Sequence, residues 1–373
     1  MRDERLKMRD DILSRVESQA LRGIAILGIV LHNYCHFLGF AVKENEYTFT
    51  AEKPMQMLEK VMALDKDLFI HFFSFFGHYG VPVFLFISGY GLVKKYEETK
   101  DGGNEGTVQW IWKHFRKLFR LMIWGYLLFM AIYFLRHTNG AEVFSLDRIA
   151  AHLTMTVNFL YWLPDKVIFP GPYWFFGLMI QLYILYRLVF YRWRGYGILL
   201  GTIVVCWLLQ WWASLSNPCD FNLLNYLRYN FIGGILPFCM GIAYARYMKR
   251  TLSSVRYLLI VLFSAVGVVA GSMSVHTWLW VPLFITTGAV ATVKLLPQWL
   301  MKPCAWFGGI SAALFVMHPV MRELVISHYR RVDIYWGIMI YLLSAVALSM
   351  LLQYLMGKRD ALKGRNPSKS DQN

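Results

Sequence analysis

Charge is the scarcest ingredient of this chain. Only 16% of its 373 residues are Asp, Glu, Lys or Arg, where a soluble domain carries about a quarter. With 57% hydrophobic residues and a mean hydropathy of +0.40, that shortage excludes a soluble globular fold and indicates a polytopic membrane protein. Cysteine is also sparse. The five thiols, Cys35, Cys206, Cys219, Cys239 and Cys304, include no CxxC pair, so neither a disulfide framework nor a cysteine metal site is expected. No cleavable leader is expected: the first apolar run follows about twenty largely polar residues with no small-residue cleavage site, so it should stay as an anchor. No internal repeat is visible. The formal charge of +15 would suggest nucleic acid in a soluble chain. Here the placement of Lys and Arg in loops accounts for it, and no nucleic-acid partner is expected.

What is present is a series of apolar runs. They predict an all-α bundle of about ten transmembrane helices, near 20–40, 70–93, 118–136, 173–190, 196–214, 230–247, 257–273, 277–296, 304–326 and 336–356, on the length needed to cross a bilayer. Residues 1–19 read as a polar cytoplasmic segment, 20–357 as the membrane domain, and 358–373 as a polar, disordered cytoplasmic tail. Ten spans put both termini on one side. With the termini in the cytoplasm, 27 of the 38 basic residues fall inside, in keeping with the positive-inside bias.

The first run, LRGIAILGIVLHNYCHFLGF (21–40), holds His32 at its middle and Arg22 at its entry. An ionisable side chain within a span is costly and is by default a functional candidate. Arg22 lies about 15 Å from His32 along a helix axis, and His36 shares the His32 face. Imidazole suits a general base; the structural alternative is a hydrogen bond between helices worth ~0.6–2 kcal/mol. His32 and His36 have ligand spacing, but no HExxH glutamate accompanies them, so no metal site is expected. Arg22, Arg116, Lys117 and Arg120 could cradle the phosphates of a cytoplasmic donor, or serve topology and lipid headgroups alone. Ser88, beside Gly89, fits close helix packing, and Trp174 an interfacial aromatic. Ser311 and His318, seven residues apart, share one helix face.

Taken in order, Arg22-Gly-Ile-Ala ahead of His32, FISGYGL at 86–92, Arg116-Lys-Leu-Phe-Arg120, YWFFGL at 173–178 and Ser311 through His318-Pro319 resemble the acyltransferase 3 family, over nearly the whole chain. The resemblance implies an integral enzyme of the bacterial inner membrane. It would move an acyl group, usually acetyl from acetyl-CoA, to a hydroxyl of an exported or cell-surface glycan. Acyl-CoA would then be a co-substrate, with no permanently bound cofactor; the partners would be the lipid bilayer, acyl-CoA and the glycan acceptor. His32 would be the essential histidine, Arg22 its basic partner, and Arg116 and Arg120 part of the basic segment.

Two departures stand out. Nine residues separate Arg22 from His32 where the family has ten, which puts Asn33 at the family's histidine position and turns the side chain by about 100°. His32 and His36 therefore both remain candidates. Ala312 and Phe315 stand where the family often has tyrosine. The alternative function is a transporter or flippase for a glycan, lipid or small anion along the same polar face, although the inverted repeats common in transporters are not visible. The oligomeric state does not follow from the sequence.

Overall fold

The first helix begins before its apolar run. Ser14 Oγ accepts the Glu17 amide (3.2 Å) and the Glu17 carboxylate accepts the Ser14 amide (2.7 Å), a reciprocal cap that starts α1 at Arg15 and carries it to Cys35. The segment expected as a lead-in up to residue 19 thus ends inside the first helical turns. This computed structural model describes residues 12–99, 105–160, 164–215 and 222–365, so residues 1–11 of that segment lie outside the described residues.

Nine further principal helices follow: α2 (Leu68–Tyr96), α3 (Thr107–Arg136), α4 (Gly171–Phe190), α5 (Tyr196–Leu215), α6 (Phe231–Tyr247), α7 (Ser254–Gly271), α8 (Val281–Leu295), α9 (Gln298–Tyr329) and α10 (Ile334–Arg365). Among the described residues every regular element is helical. Seven of them, α2, α3, α4, α5, α7, α9 and α10, are long and apolar enough to cross a membrane. The other three expected spans are helices that fall short of that standard. α6 and α8 have only 17 and 15 residues, and α1 carries Arg15, Glu17 and Arg22 in its first half.

Three boundaries differ from the hydropathy pattern, each for a packing or propensity reason. α3 begins at Thr107 rather than near 118, because Trp110 and His114 stack on each other (3.8 Å between ring centroids) and against Tyr96. α10 runs to Arg365 through the stretch expected to be disordered. Lys, Arg, Ala and Leu in that stretch are good helix formers, and residues 366–373 lie outside the described residues. α9 continues through Pro303 and Pro319. A proline leaves a gap in the helix ladder, which membrane helices fill with nearby donors. The carbonyl that Pro319 leaves without its helical donor is that of Phe315; His318 Nδ1, next to it, donates to the Leu314 carbonyl at 3.1 Å.

Glycines hold α1 at the centre. A Cβ at Gly23 would strike the Cys304 carbonyl of α9, and one at Gly308 would strike the Gln19 carbonyl of α1. These two glycines let the α1 and α9 backbones touch reciprocally, as small residues do in membrane bundles. On the neighbouring side, Gly28 of α1 and Gly77 of α2 face each other in the same way. Gly309, by contrast, faces open space. Gly308→Ala should therefore destabilise the protein by about 1–3 kcal/mol through overpacking, while Gly309→Ala changes it by less than about 0.5 kcal/mol. Thermal unfolding of the two variants in detergent checks this; equal melting would sink the seam as drawn.

Candidate active site

α2 is broken near the level of His32. It consists of a helical stretch Leu68–Phe76, a tight turn Gly77–Tyr79 and a second stretch from Gly80 to Tyr96. Because Gly77 has no side chain, this turn packs directly on His32: a Cβ there would meet the Gly28 carbonyl and the His32 Cβ. The approach brings the Phe73 carbonyl to 3.3 Å from His32 Nδ1. A carbonyl can only accept, so Nδ1 carries the proton and Nε2 keeps its lone pair.

His32 lines a cavity of about 440 Å³. Asn33 of α1 and His36 just past its end share its wall, as do Asn45 to Thr48 of the following loop, His78 of the α2 turn, Trp174 and Phe175 of α4, Tyr229, and Phe315 and Arg322 of α9. Three imidazoles gather here. The His32 ring lies 4.8 Å from that of His36 and 5.4 Å from that of His78.

Behind His78 sits a buried charge network. Its Nδ1 donates to Glu46 Oε1 at 2.9 Å, and its Nε2 lies 3.5 Å from Glu44 Oε2. Glu44 also accepts the Trp278 indole N–H (2.6 Å) and the Tyr79 hydroxyl (3.2 Å). Arg228 donates to the Glu46 backbone carbonyl, stands 3.7 Å from the Glu46 carboxylate, and lays its guanidinium 4.1 Å from the Trp278 ring centre. Glu44, Glu46, His78 and Arg228 are all buried. Charges taken this far from water persist only when paired.

Part of the lining is aromatic. Tyr47 stacks on Tyr229 (4.1 Å), and the Trp174 ring meets both edge-on, at 5.8 and 5.6 Å. With polar groups at few points on an aromatic lining, the cavity has the usual make-up of a small-molecule site.

The acyltransferase-domain family model (Acyl_transf_3) matches residues 16–354. The chain belongs to that family. No curated protein and no solved structure matches it.

Against the family's expectations, the structure brings together His32, His36 and Trp174 and sets the remaining candidates apart. Arg22, Arg116, Lys117 and Arg120 do not line the cavity. They lie at the other end of α1: Arg22 is half-buried, within electrostatic reach of Lys117 and Tyr183. Arg116 and Lys117 are exposed, and Arg120 donates to the Met356 carbonyl of α10 (3.3 Å). Ser88 donates to the Phe84 carbonyl (2.7 Å), next to Gly89, whose missing Cβ admits the Phe238 carbonyl of α6. Ser311 bonds to the Gly308 carbonyl (2.8 Å), and His318 is buried beside Pro319. These three hold helices rather than face the cavity. Asn33 anchors its amide on the Ile29 carbonyl (2.9 Å) and accepts from Arg322 (3.1 Å).

Glu44, Glu46, His78, Arg228 and Arg322 were not among the sequence candidates. For His78 and Arg322 a signal existed, since each is ionisable within an expected span. Glu44 and Glu46 lie in a polar loop, where carboxylates are usual. Removing one partner of a buried pair leaves the other uncompensated. Glu46→Ala should accordingly cost about 3–5 kcal/mol, read by unfolding in detergent; a loss under about 1 kcal/mol would mean that the network is not held as described.

Proposed function

We propose that the chain transfers an acyl group, in the first instance acetyl, from acyl-CoA to a hydroxyl of an exported or cell-surface glycan at a bacterial inner membrane. One observation carries this reading beyond the family: the imidazole of His32, tied by Nδ1 to a backbone carbonyl, lines a cavity with its Nε2 left to act. His32 Nε2 takes the proton of the sugar hydroxyl as the oxygen attacks the thioester carbonyl, and returns it to the departing thiolate. The products are the ester and free CoA thiol. In the covalent variant the same Nε2 attacks first, the thiolate leaves, and the sugar hydroxyl then displaces the imidazole. His36 is the second candidate, one turn along the same face. Trp174, Tyr47 and Tyr229 offer flat surfaces for the apolar side of a sugar ring.

The donor's phosphates are assigned to Arg22, Arg116, Lys117 and Arg120, which bear guanidinium and ammonium groups suited to them. The acyl arm must then cover about 15 Å of α1 to reach His32. That stretch is packed against α9 and α2 through Gly23, Gly28, Gly77 and Gly308, so delivery from that end requires the seam to open. Family membership favours this reading over transport.

Membranes holding the protein, labelled acetyl-CoA and a glycan acceptor provide the test. His32→Ala at equal protein level should lower transfer by about 10²–10⁴-fold, the span of a lost general base, and His36→Ala by less. Undiminished transfer in His32→Ala would refute the assignment.

A further inference from the structure

Arg322 is 5% exposed and lines the His32 cavity. One of its N–H groups donates to Asn33 Oδ1 at 3.1 Å, and its guanidinium lies 3.9 Å from the centre of the Phe37 ring. Asn33 is held for this: its own amide nitrogen is committed to the Ile29 carbonyl at 2.9 Å, which turns the oxygen toward Arg322. Five N–H donors belong to a guanidinium, and the remaining ones have no partner among the described residues.

Among the described residues the lining carries two carboxylates, and both are engaged elsewhere. Glu46 pairs with His78 (2.9 Å) and Arg228 (3.7 Å); Glu323 pairs with His137 (2.7 Å) and stands 3.9 Å from Arg136. Among the described residues none comes within ion-pair distance of Arg322. Glu323, the next residue, acts on the guanidinium electrostatically but bonds to His137 and not to it, so an anion bound beside Arg322 would be favoured. His36, on the same wall, adds a buried Nδ1 that lacks a partner.

We infer that Arg322 is the anion-binding residue of this cavity, and that its ligand is a sugar ring carrying a carboxylate or a phosphate. The charged group would sit on the free side of the guanidinium, with the ring against Tyr47 and Trp174. Two parallel N–H···O bonds from an arginine suit either oxyanion. The inference rests on the acyl-transfer reading only in treating that sugar as the acceptor; binding itself needs no turnover.

The test is calorimetric titration of the full-length protein in detergent with glucuronate, glucose 6-phosphate and glucose, at constant ionic strength. Wild type should bind at least one anionic sugar about tenfold or more tighter than glucose, the worth of a charged hydrogen bond. The tighter of the two names the group. Arg322→Gln should reduce that preference to under about twofold, whereas Arg330→Gln, exposed at the end of the same helix, keeps it. No preference in wild type, a preference kept in Arg322→Gln, or one lost equally in Arg330→Gln would overturn the inference. Should Arg322→Gln not fold, Arg322→Lys decides, since an ammonium keeps the charge but cannot offer two parallel N–H groups to the oxyanion. A preference weakened by about threefold or more supports the proposal, and an unchanged one ends it. Acyl transfer to neutral sugars alone, with no anion preference, would leave the enzyme reading standing and remove this one.

Discussion

Two carboxylates drawn into the bundle hold the site together. Glu44 and Glu46 belong to the loop after α1, and neither would leave water without a counter-charge. His78 from the α2 turn, Arg228 from the helix Leu223–Tyr229 and Trp278 from the short helix before α8 supply the partners. One network thus joins segments that are far apart in the chain. Because Glu46 and His78 also line the cavity, the shape of that cavity is set by where these charges can be satisfied.

The second constraint is backbone proximity. α1 lies between α9 and α2 with glycines at each contact, Gly23 and Gly308 on one side, Gly28 and Gly77 on the other. Without a hydrophobic drive between helices in lipid, close van der Waals contact is what such an interface gains. The cost is functional. The half of α1 nearest Arg22 is sealed by this packing, while the stretch from Ile29 to Phe37, the end of α1 and the residues just after it, borders the cavity. The basic end and the histidine end are consequently separate places in this conformation, and the stretch of α1 between them is packed against its neighbours.

How much of the site could be read in advance depended on the kind of residue. His32, His36 and Trp174 were legible because each interrupts or punctuates an apolar run, and all three meet in the cavity. His318 and Ser311 satisfied the same criterion, yet His318 Nδ1 and Ser311 Oγ bond to carbonyls of α9 itself. Arg322 was legible by the same argument as His32, but a lone basic residue near a span end also reads as a topology signal. Glu44 and Glu46 had no local mark at all. A carboxylate in a polar loop is ordinary until the loop is seen to fold inward.

By itself the sequence determined the all-helical class, the membrane class and the family. All three depend on properties local to a run: enough apolar residues to span lipid, and a helix that satisfies its own backbone there. Family motifs added their order along the chain. Tertiary structure alone decided that the cavity lies at the far end of α1 from Arg22. It likewise decided that Glu44 meets Trp278 across 234 positions, and that Arg322 rests on Asn33 across 289. Such pairings are set by where helices cross, and no property of a short run contains that information.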